Sequence, residues 1–222
     1  MMNLIERIAQ WVGLDSPNAP VNELSELRAL LSEARQRKYT ESYDEALRQF
    51  EAANTIAQAK GDRSTEMIIA FHCADIYIRQ ARWEEVTQLL DRLDTMATDT
   101  IQRAYLHITR GTLKQAQGDL MEARRWYEQG VTLAREAQSM GAEGRGLGHL
   151  ADTYLADGNA SYAAHLLRES LPKLSAGNDV ELSSYFVGRL GEALIQIGQE
   201  QEGDQMLSRA LRLAQHTHYR SY

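Results

Sequence analysis

A pairing of small and large residues recurs down this chain at a nearly fixed interval. Small residues stand at Ala34, Ala74, Gly111, Ala151 and Gly191. Twelve positions after each come Ala46, Val86, Ala123, Ala163 and Gly203, and four further on come Phe50, Leu90, Tyr127, Leu167 and Leu207. The intervals between the first small residues are 40, 37, 40 and 40. A repeat of this length marks a supersecondary unit stacked on copies of itself, so it constrains the whole chain. Two helix axes approach closely only where the side chains at the crossing are small, and a large neighbour then fills the space beside it. Each unit is therefore expected to be a helix pair, helix A with the first small residue and helix B with the second.

The punctuation agrees. Only three prolines occur, at Pro17, Pro20 and Pro172, and no segment alternates apolar and polar residues as a strand would, so the chain is expected to be nearly all helix. Gly118, Gly158 and Gly198 each follow the first small residue of their unit by seven positions, where a turn joins helix A to helix B. In the first unit Ser42 and Glu45 have the spacing of a capping box instead. Gly61-Asp62, Gly141 and Gly177-Asn178 are expected to supply the turns between units. The three residues missing from the short interval fall within Asp94 to Arg110, around Asp99-Thr100.

The units resemble tetratricopeptide repeats. Gly111 to Ala134 (GTLKQAQGDLMEARRWYEQGVTLA) carries the pattern most clearly, followed by Leu150 to Leu167, and the resemblance covers roughly Asn22 to Gln215. The family's aromatic residue three positions after the first small one is present at Tyr77 and Tyr154, but is Arg37, Lys114 and Leu194 elsewhere. The period exceeds the family's usual ~34 residues and is similar to that of longer-helix members, among them kinesin light chains and bacterial peptide-sensing regulators. The resemblance implies an all-α, right-handed α-solenoid of five repeats, and the spacing of apolar residues before it adds an N-terminal amphipathic helix. The expected organisation is residues 1–21 as that helix and its linker, 22–215 as the repeat domain and 216–222 as a tail.

In this family helix A lines a concave groove through a stripe at offsets −6, −3, +1 and +4 from its small residue, positions that share one helical face. The implied stripe runs Arg28, Leu31, Arg35, Lys38; Ile68, Phe71, Asp75, Ile78; Tyr105, Ile108, Thr112, Gln115; Arg145, Gly148, Asp152, Leu155; and Tyr185, Gly188, Glu192, Ile195. Such a groove is basic at its first end, apolar and aromatic in the middle and partly acidic at the other, which suits an amphipathic helix or extended peptide with an acidic end. Gly148 and Gly188 are expected to leave hollows for a partner. Two readings of Ile68, Phe71, Ile78 and Ile108 stand side by side, contact surface or packing against neighbouring helices. The asparagines and lysines with which chaperone-binding relatives clamp a C-terminal carboxylate have no counterparts in the stripe.

A formal charge of −7 argues against nucleic acid or anionic membrane as the main partner, because both demand a dense basic surface. Cys73 is the single cysteine, which excludes a disulfide framework and a thiolate zinc cluster and fits a cytoplasmic setting. No apolar run approaches a membrane span, so membrane insertion is not expected. His72 and His149 share a register two residues before their small residues, which reads as packing, and neither they nor His107 and His165 are spaced as metal or acid-base pairs. No cofactor and no catalytic set is expected. Gly141 to Gly148 lacks the preceding strand of a phosphate loop and reads as a loosened helix start, a candidate hinge.

Both ends bear on association. Leu4, Ile5, Ile8, Trp11 and Val12 fall on one side of an N-terminal helix, followed by a linker from Ser16 to Pro20. Three roles are open to it: capping the first repeat, plugging the groove, or docking on a partner or membrane surface, the last disfavoured by its single basic residue. At the other end Met206, Leu207, Ala210, Leu211 and Leu213 form an uncovered stacking face, which allows a homo-oligomer. His216 and His218 fall in the expected tail. The sequence thus points to a protein-binding adaptor, with an assembly scaffold as the other reading.

Overall fold

The computed structural model describes residues 21–39, 41–176 and 180–219. The expected N-terminal helix and linker, the Gly177-Asn178 turn and residues 220–222 lie outside the described residues, as do the side chains of His216 and His218. Ten α-helices and no strands occur among the described residues: α1 (Val21–Tyr39), α2 (Tyr43–Ala59), α3 (Arg63–Arg79), α4 (Trp83–Met96), α5 (Thr100–Ala116), α6 (Leu120–Glu136), α7 (Met140–Ala156), α8 (Ala160–Ala176), α9 (Val180–Gln196) and α10 (Glu200–Tyr219). They form five successive A/B hairpins, an all-α helical repeat solenoid. α10 continues beyond Gln215, where the sequence periodicity stops.

The period has a simple mechanical origin. Seven of the helices are 17 residues long and the breaks between helices are three residues, so each helix and turn make a 20-residue module and two modules make 40. The short interval comes from α4, which has only 14 residues, while the break at 97–99 keeps its full length. The chain divides into two compact units between Met96 and Ala97, at this same place.

Most of the turns share one chemistry. Their middle residue has positive φ at Gly61 (67°), Gly118 (85°), Gly158 (78°) and Gly198 (79°), and also at Glu41 (60°), Ala81 (54°) and Gln138 (54°), where no glycine announces it. At Gly118 the amide donates to the Gln115 carbonyl at 3.0 Å and the Asp119 amide to Lys114 at 2.9 Å, closing the end of α5. The third turn residue then caps the next helix: Asp62, Asp99 and Asp119 accept from the amides of Thr65, Gln102 and Glu122 at 3.0, 2.8 and 3.1 Å. Two expectations are corrected here. Gly141 lies inside α7, and the turn before it is Ala137-Gln138-Ser139. The capping box at Ser42 does not form, because Glu45 pairs with Arg37 and the Ser42 side chain makes no capping bond.

In the first unit, α1 to α4, the core is built on Leu27, Leu31, Ala34, Ala46, Phe50, Ala53, Ile69 and Ile76. In the second, α5 to α10, the paired small residues set the crossings: a Cβ on Gly111 would lie 2.5 Å from the Tyr127 ring, and one on Gly203 would lie 2.8 Å from the Gly191 carbonyl. The glycines expected to form a hinge do the opposite. Gly144, Gly146 and Gly148 are buried in α7, and a Cβ there would meet Leu174 at 3.0 Å, Val131 at 2.7 Å and the Phe186 ring at 2.2 Å. The hollow expected at Gly148 is therefore filled by Phe186. At Gly188 the nearest group is the Ala210 methyl, at an ordinary 3.6 Å.

Candidate binding surface on the A helices

In the first unit the stripe lies on α1 and α3. Leu31 and Ile78 are buried, which puts them with the core, whereas Phe71 and Ile68 are half-buried. Arg28 and Arg35 are exposed, and the Arg35 Nε donates to His72 Nε2 at 3.2 Å. Lys38, expected in a basic entrance, is buried, and its ammonium lies 2.9 Å from Asp75 Oδ2 while Arg79 approaches Oδ1 at 3.4 Å. The solvent-facing cations of the stripe at this end are thus the two arginines. His72 stacks on Phe50 at 5.2 Å, and in the second unit His149 stacks on Tyr127 at 5.6 Å, so the shared register of these histidines is indeed a packing register.

In the second unit the stripe lies on α5, α7 and α9. Ile108, Gly148 and Leu155 are buried, and Thr112 and Gln115 turn toward the Tyr127 hydroxyl, which donates to Gln115 Oε1 at 2.6 Å. Arg145 sits 6.0 Å above the Tyr105 ring, a cation–π distance that joins the −6 positions of successive repeats. Asp152 is 3% exposed and holds the centre of the surface. Its Oδ1 accepts from Arg189 Nε at 2.7 Å and its Oδ2 from the Tyr185 hydroxyl at 2.9 Å, and Arg189 also pairs with Glu192. Burial lifts the Asp152 carboxyl above its ordinary pKa against the pull of Arg189. Burial and the adjacent carboxylate likewise push the Tyr185 phenol up, so it remains a donor at neutral pH. Tyr185 is half-exposed with its hydroxyl anchored, Glu192 is exposed, and Ile195 is 38% exposed.

Arg189 escaped the sequence reading because it lies at offset −2, outside the stripe. A signal for it exists: Lys38 and Asp75, Arg35 and His72, and Asp152 and Arg189 are all separated by 37 residues. That spacing is one 40-residue repeat less about one helical turn, and it places the partners opposite each other on successive A helices. Among the described residues no group of three or more His, Cys, Asp or Glu is placed to hold a metal ion, and no helix is long and apolar enough to cross a membrane.

No family model and no curated protein matches the chain. Solved structures do. BtubC (BKLC) from P. vanneervenii is 14% identical, with 98% of this chain and 93% of that one covered at a TM-score of 0.57. A protein of Podosopora anserina, described as a kinesin light chain with nearly identical TPR-like repeats, is 21% identical, with 87% and 97% covered at a TM-score of 0.51. At these identities the likeness is one of fold, and the chain is similar to TPR-like repeat structures along most of its length.

Proposed function

We propose that the protein is a non-enzymatic interaction adaptor that receives a peptide or amphipathic helix of a partner protein on its A-helix surface. The observation that carries this reading is Tyr185. Half of it faces solvent while its hydroxyl is fixed by a buried carboxylate that Arg189 also holds. An aromatic side chain fixed in advance offers contact area at little cost in ordering, the character of an interface anchor. Glu192, Ile195, Arg145 and Tyr105 complete the surface in the second unit, and Arg28, Arg35, Phe71 and Asp75 offer the corresponding one in the first. Tyr185→Ala should weaken a captured partner at least tenfold by calorimetry, and Tyr185→Phe, which keeps the ring and loses the anchor, should fall between. Equal affinity in all three would remove α9 from the site.

A second reading, a homo-oligomeric scaffold, is favoured by the exposure of Leu207 (40%) and Leu211 (61%) on α10. Light scattering over a dilution series, repeated with Leu211→Glu, separates it from a monomeric adaptor.

A further inference from the structure

The first unit contains a cavity of about 300 Å³ between α2, α3 and α4. Its walls are mainly apolar, with Leu47, Ile69, Leu89 and Met96 among them, and its polar lining includes Glu51 and Glu66, with Arg92 3.9 Å from Glu66. On α3 the lining residues Glu66, Ile69, Ala70, Cys73 and Tyr77 fall on the side opposite Phe71, Asp75 and Ile78. The cavity is therefore separate from the A-helix surface and independent of its assignment. A cavity of about 150 Å³ lined by aliphatic and aromatic groups accommodates a benzene, so this one has room for two large apolar side chains.

This chain carries a segment with those side chains. Leu4, Ile5, Ile8, Trp11 and Val12 are spaced to share one side of a helix, and Arg7 is the single basic residue among the first twelve. Among the described side chains of α1 the exposed ones are Ser25, Glu26, Arg28, Ala29, Ser32, Glu33, Arg35 and Gln36, of which only Ala29 is apolar, so they offer a capping segment little apolar surface. The cavity is within reach. Short turns make successive helices antiparallel, so the start of α1 lies at the same end as the start of α3 and the end of α4, which carry the lining residues Glu66 and Met96. Residues 13–20 span up to about 26–29 Å when extended, and neighbouring helix axes lie about 8–10 Å apart.

We infer that the N-terminal segment, residues 1–12, docks intramolecularly in this cavity, inserting apolar side chains among Leu47, Ile69, Leu89 and Met96 with Arg7 toward Glu51 and Glu66. Cys73, the single cysteine, lines the cavity and reports on it. Its alkylation by N-ethylmaleimide is measured at fixed pH in the full chain, in a chain lacking residues 1–12, and in the full chain with Leu4→Glu and Ile8→Glu. Docking makes Cys73 react at least tenfold faster in the two altered chains at unchanged helix content, and a synthetic peptide of residues 1–12 restores protection to the shortened one. In a Trp83→Phe, Trp126→Phe background, Trp11 emission is blue-shifted relative to that peptide free in solution. Rates equal within twofold, or Trp11 emission like that of the free peptide, would overturn the inference. So would protection that disappears on dilution, which would place the segment on a second copy.

Discussion

α3 and α7 occupy the same place in their repeats, 77 residues apart, and they do opposite things to their neighbours. Where α7 has Gly144, Gly146 and Gly148, α3 has Met67, Ile69 and Phe71. In the second unit the missing side chains are replaced by Leu174, Val131 and Phe186, which press onto the α7 backbone, and the Ser170 hydroxyl donates to the Gly144 carbonyl at 2.6 Å. In the first unit these positions carry side chains of their own, and a cavity lies between α2, α3 and α4 with Ile69 in its wall. Two A helices of the same length therefore sit in differently packed surroundings, and three of their positions differ between glycine and a large side chain. Close packing leaves a finished interior, while wide spacing leaves room for an added element.

Transplanting the α3 residues tests this most severely. Gly146→Ile with Gly148→Phe should lower the stability of the second unit by about 3 kcal/mol or more through overpacking, followed by the fluorescence of Trp126 during urea unfolding; an unchanged midpoint would mean that the glycines do not set the spacing. A smaller effect of the opposite sign is expected in the first unit. In a chain lacking residues 1–12, Cys73→Leu, which copies Leu150 of α7, should fill the cavity and raise stability by about 0.5–2 kcal/mol, reported by Trp83. Cys73 has a thiol pushed up to about 12 by burial and by Glu51, so no thiolate is lost at neutral pH.

The smallest effect concerns acid. Glu143 bridges Arg135 at 2.7 Å and Lys173 at 3.2 Å across α6, α7 and α8. Burial alone would raise its pKa, but the two cations outweigh it and hold the carboxyl below its ordinary 4.5. A lowered folded-state pKa contributes stability above 4.5 that is lost as pH falls through the folded value. Thermal melts of Glu143→Gln should therefore fall less steeply with acid than those of the parent chain, and parallel curves would show that the cluster is not coupled to folding.

The repeat was legible because its cause is local: small residues at the crossings and glycine turns leave marks at fixed spacing. The shortened interval was also legible, but it was assigned to the connection at Asp99, whereas the structure shortens α4 and keeps that break at three residues. Turns at Glu41, Ala81 and Gln138 were silent, since an ordinary residue there adopts a left-handed conformation imposed by helix packing on both sides. The stripe was legible as positions and not as exposure. Leu31, Ile78 and Ile108 entered the core and Lys38 turned inward to Asp75, because burial depends on which residues of the neighbouring repeat lie opposite. The glycines of α7 were misread as looseness for the same reason: a missing side chain signals freedom only where no neighbour takes the space.

The 20-residue module of helix and turn also makes this a molecule whose length can be edited. Excising 119–158 would join Gly118 directly to Asn159, a residue that already caps its helix by accepting from the Tyr162 amide at 3.3 Å. Every remaining helix would keep its length, and the join would carry a turn of the same three-residue form as the others. Loss or duplication of whole 40-residue blocks leaves the punctuation in frame, whereas the three-residue shortfall at the boundary between the two units falls inside a helix, α4.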